Sequence, residues 1–73
     1  MSVKEHLFNA LKLKYEAEIQ DCRATLMIYF NNSVGIGEHP QQLEEMDKLL
    51  EKMANAEDKL QLLIQEKSIF VNL

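Results

Sequence analysis

The side chains most suited to chemistry cluster in "NNSVGIGEHP", residues 31 to 40, where His39 follows Glu38 and Gly35 and Gly37 stand close to Pro40. A glycine-rich turn can bring backbone N–H groups up to a phosphate, and a carboxylate beside an imidazole can form a titrating pair. The fuller patterns are missing. Pro40 occupies the place where GxGxxG needs its third glycine, and no Gly-Lys-Ser/Thr follows. His6 and His39 are the only histidines and lie far apart, with neither an HExxH pattern nor the Glu-x-x-His spacing of di-metal bundles. The paired acids Glu44–Glu45 and Glu57–Asp58 are sequence neighbours, so on a helix they point in different directions. Cys22, the single cysteine, falls on an apolar stripe where a thiol is inert packing. No enzymatic activity and no cofactor are expected. A small-ligand or metal site at the loop remains a trailing alternative.

The same ten residues read more simply as a bend. Gly35 and Gly37 permit the positive φ that a chain reversal needs, the asparagines suit a helix end, and Pro40 suits a first helical position. On either side lie long stretches built of helix formers. "SVKE" fits a capping box, with Ser2 accepting from the Glu5 amide. These signals predict one all-α domain: a helix over about 3–31, a loop over about 32–39, a helix over about 40–67 and an apolar tail, 68–73.

The two helices differ in how their apolar residues are arranged. At 100° per residue, Phe8, Leu11, Tyr15, Ile19, Cys22, Leu26 and Phe30 fall in one narrow arc, with an eleven-residue repeat through Phe8, Ile19 and Phe30. A second strip on the opposite side carries Ala10, Ala17 and Ala24 at seven-residue intervals, with Leu13, Met27 and Ile28 beside them. Small residues on such a line let another helix approach closely, so this strip is the expected subunit seam. In the second helix, Leu43, Met46, Leu49, Leu50, Met53, Ala56, Leu60, Leu63 and Ile64 form one broad dry arc. Glu44, Asp47, Lys48, Glu51, Asn55, Asp58 and Lys59 form a wet one.

An antiparallel hairpin with Phe30 near Leu43 puts Tyr15 opposite Glu57, the one charge on the dry arc. A buried Tyr15–Glu57 hydrogen bond would relieve the cost of burying that carboxylate; the alternative is that Glu57 swings to the edge and stays wet. Ile69, Phe70, Val71 and Leu73 overshoot the start of the first helix and are expected to dock on something.

Size and charge narrow the class further. Seventy-three residues in two amphipathic helices bury little, and chains this small lean on disulfides, a metal or a partner subunit. One cysteine rules out an internal disulfide and metal ligands are lacking, so a homodimeric four-helix bundle is expected. A net charge of −4 disfavours nucleic acid and anionic lipid, and "ATLMIYF" is too short to span a bilayer. The lone cysteine, with no signal peptide, fits a reducing cytoplasm.

"VGIGEHP" and "NAEDKL", within a segment from about residue 15 to 63, resemble short uncharacterised proteins of T4-like tailed phages, marine ones especially. The resemblance implies an infected bacterial cytoplasm and a host or phage protein as partner, and it supplies no site residue. The architecture is also similar to Rop-type hairpins, which dimerise and bind RNA. The alternative this raises is a nucleic-acid-binding regulator. Against it, Lys4, Lys12, Lys14 and Arg23 are interspersed with Glu16, Glu18 and Asp21. The leading expectation is a protein–protein interaction or adaptor module acting through helix packing.

Overall fold

The computed structural model describes residues 1–31 and 41–72, and every regular element among them is helical. Two long helices, α1 (Val3–Asn31) and α2 (Gln41–Gln65), run antiparallel, followed by a short α3 (Lys67–Val71). The direction follows from three cross-helix neighbours: Phe8 meets Lys67, Tyr15 meets Lys59, and Arg23 meets Glu57. The molecule measures 54 × 17 × 13 Å. Its radius of gyration is 16.4 Å, against about 11 Å for a compact domain of this length. It is a rod one helix pair thick.

α1 starts where its cap dictates. The Glu5 amide donates to Ser2 Oγ at 3.2 Å, and the Ser2 hydroxyl donates to a Glu5 carboxylate oxygen at 3.3 Å. The serine thus satisfies one of the first-turn amides that have no partner within the helix. Its hydroxyl, rather than its backbone amide, is the group that meets the glutamate. No glycine or proline follows until Gly35, which is why the helix runs for 29 residues.

The line of covered positions on α1 runs through Phe8, Lys12, Tyr15, Ile19, Cys22, Leu26 and Tyr29, buried or half-buried, with half-buried Glu18 and Thr25 on its flank. Those on α2 are Gln42, Met46, Leu49, Met53, Ala56, Leu60 and Leu63. Both series step alternately by four and three residues. That is the seven-residue repeat of a two-stranded seam, not the eleven-residue repeat read from Phe8, Ile19 and Phe30. The correction is local and physical. Leu11 and Phe30 sit a few tens of degrees off the line of contact and stay exposed, while Lys12 and Tyr29 take the inward places. A lysine stem is apolar enough to lie there.

Small residues hold the middle of the seam. Cys22 and Ala56 are each 1% exposed, the most buried of the core residues. Small side chains at a crossing let the helix axes come close, so their neighbours lose the most water.

The chain after α2 departs from the expected single helix to about 67. Glu66 leaves helical geometry at φ −97°, ψ 12°, after which α3 resumes, with the Ile69 and Phe70 amides donating to the Glu66 carbonyl at 3.0 Å each. The one-residue break turns α3 back over the start of α1. A cleft of about 210 Å³ there is lined by Leu7, Phe8, Leu11, Leu63, Phe70 and Val71, with Lys4 at its edge. Lys67 stands 5.0 Å above the Phe8 ring. The tail is therefore helical and lies against α1, with Val71 half-buried and Ile69 and Phe70 more than half exposed.

The tight centre generates a prediction. Ala56→Leu adds three heavy atoms to a closed seam and should cost about 1–3 kcal/mol in urea denaturation. Ala24→Leu, the same change on an exposed position, should stay within about 0.5 kcal/mol of wild type. Equal effects of the two would contradict the seam.

Candidate interaction surface

The covered stripe divides the remaining surface of each helix into two flanks and a back. Which flank of α1 adjoins which flank of α2 is fixed by side-chain neighbours. Arg23 Nη2 lies 3.9 Å from Glu57 Oε1, so the α1 line Glu16–Arg23–Phe30 shares an edge with the α2 line Leu43–Leu50–Glu57–Ile64. On the other edge, Glu18 shares a depression of about 330 Å³ with Lys48, Lys52 and Lys59. Lys59 also stands 5.9 Å over the Tyr15 ring.

The two edges differ in chemistry. Along the Glu18 edge, α2 offers Glu45, Lys52 and Lys59, all charged, and Glu18 and Thr25 of α1 are half covered. Along the Arg23 edge, α2 offers Leu43, Leu50 and Ile64, which are 60%, 51% and 51% exposed. Phe30 on the adjoining line of α1 is 65% exposed, and Met27 borders it. One edge is wet and cationic–acidic, and the other is apolar and bare.

Glu57 takes the edge position, the alternative to a buried pair with Tyr15. Among the described residues no polar or charged side chain is buried. Tyr15 is half-buried beneath Lys59, while Glu57 lies at the edge with Arg23. The carboxylate keeps its hydration there and adds an ion pair, whereas burial would have stripped its water for one hydroxyl. Lys48 lies 3.9 Å from Glu45, one turn earlier on α2.

The expected seam residues Ala10, Leu13, Ala17, Ala24, Met27 and Ile28 are all exposed. The three alanines lie on the back of α1, diametrically away from α2. Gly35, Gly37, His39 and Pro40 lie outside the described residues, as do any contacts of the loop. Beside it, Gln42 carries a buried carbonyl oxygen with no hydrogen-bond partner among the described residues. It sits near Tyr29 and Glu45, which line a depression with it.

Among the described residues, no group of three or more His, Cys, Asp and Glu is placed to hold a metal. No described helix is long and apolar enough to cross a membrane. The apolar Arg23 edge was missed in the sequence because Leu43, Leu50 and Ile64 read as core. Their seven-residue spacing beside the Met46–Met53–Leu60 line was the available signal. Comparison with protein-family models, curated proteins and solved structures finds no match.

The pairings above predict small energies. Tyr15→Phe should leave the denaturation midpoint unchanged to within about 0.5 kcal/mol. Arg23→Ala should cost about 0–1 kcal/mol, because both partners are roughly half exposed, and the cost should shrink at high salt. A large, salt-independent loss in either variant would contradict these positions.

Proposed function

We propose that this chain is a small interaction module that works by helix packing, and that its first partner is a second copy of itself, giving a four-helix bundle. One observation carries the reading. Among the described residues the hairpin buries seven side chains in its core, yet leaves fourteen large apolar ones exposed. Scattered single apolar residues need no explanation, but rows of them along helices mark a surface meant for another chain. Two surfaces are open for that contact: the back of α1, with Ala10, Ala17 and Ala24, and the apolar Arg23 edge, which Met27 borders.

Mixed charge supports protein over nucleic acid as the partner. The lysines of α2 stand among Glu18, Glu45 and Glu51, so no uninterrupted basic face is presented to a phosphate backbone. The setting that goes with this reading is the one the phage resemblance implies: the cytoplasm of an infected bacterium, with a host or phage protein as a further partner.

Sedimentation equilibrium tests the first step. The chain should sediment at twice its 8.5 kDa mass at micromolar concentration, and its melting temperature should rise with protein concentration. A monomer at every concentration, with a concentration-independent melt, would reject the proposal.

A further inference from the structure

The pattern of α2 says more than that a partner exists. A helix in a two-stranded seam hides two positions in seven; a helix inside a bundle hides three. α2 carries apolar residues at three. Met46, Met53 and Leu60 form one line and Leu49, Ala56 and Leu63 a second, and α1 covers both. Leu43, Leu50 and Ile64 form the third, interrupted only by Glu57, and α1 leaves it bare. The bare line always falls on the Arg23 edge, where α1 sets Phe30 and Met27 beside it. Glu57, the one carboxylate in the line, lies 3.9 Å from Arg23 of the same chain.

From this we infer that the subunit contact lies on the Arg23 edge, with Leu43, Leu50 and Ile64 of one copy packing on the same edge of a second copy, and that the alanine back of α1 faces water. This rests on the reading of the chain as a self-associating module and assigns its surface. The area fits a second copy. The chain exposes 5646 Å², whereas a compact monomer of 8.5 kDa exposes roughly 4,700 Å². The excess belongs to the whole rod and is of the order of the ~800 Å² that one partner contributes to a standard interface. A twofold contact uses the same patch on both subunits, so a patch must be tolerable to itself. An apolar row around an internally paired Arg23 and Glu57 meets that condition. The Glu18 edge, with Glu45, Lys52 and Lys59 charged along its α2 line, offers no apolar row for a second copy to cover.

The test compares wild type with Leu50→Lys, Leu43→Lys and Ala17→Glu by sedimentation equilibrium, with helicity followed by circular dichroism. Both leucine variants should raise the dimer dissociation constant by about tenfold or more, at unchanged helicity, since each leucine is exposed within the hairpin. Ala17→Glu should change it by no more than about twofold. Dissociation by Ala17→Glu with both leucine variants still dimeric would overturn this assignment and leave the self-association reading intact. A wild type that is monomeric throughout would overturn that reading as well, and would give the edge to a different occupant. Should Leu50→Lys lose helicity, Leu50→Ala decides: a weaker dimer supports the edge, and an unchanged one rejects it.

Discussion

A single line of contact between α1 and α2 holds this molecule together, and everything else follows from how narrow it is. Each helix offers the other little more than two positions in seven, and most of the rest face away. With Cys22 and Ala56 at its centre the line is tight, but tightness does not widen it. Rod shape, the surplus of exposed apolar surface and the shortage of buried polar groups are three views of that one limit. α3 relieves it where Phe70 and Val71 come over the first turns of α1.

The two edges of the line divide the surface by chemistry. One carries lysines and glutamates that keep it wetted, and the other carries leucines, an isoleucine and a phenylalanine around one ion pair. That difference belongs to the pair of helices. Neither helix has it by itself, because it depends on which flank of α1 lies beside which flank of α2. The proposed bundle draws on this asymmetry rather than on the methyl groups along the back of α1.

Much of the helical framework was legible from residues alone. The Ser2 cap and the absence of breakers mark α1, and the inward Ile19, Cys22 and Leu26 are plain from their spacing. The errors came from positions that a second helix decides. A wheel drawn for one helix picks Leu11 and Phe30 as the most apolar candidates; the partner's line of contact selects Lys12 and Tyr29. The dry arc of α2 was recognised correctly as apolar but is one position wider than α1 can cover, so its Leu43–Leu50–Ile64 margin looked like core. Glu57 sits at that margin, where a few tens of degrees separate burial from hydration. The helical tail depends on Leu7 and Phe8, nearly the whole chain away, and no local signal in "SIFVNL" announces them.

Cys22 gives the molecule a built-in clock. Its sulfur is sealed inside the line of contact and is the only thiol in the chain. An alkylating reagent can therefore reach it only while the helices are parted, and the speed of labelling counts how often they part. Oxidants face the same gate, so the closed hairpin shields its thiol from sulfenic acid chemistry without any dedicated protective group.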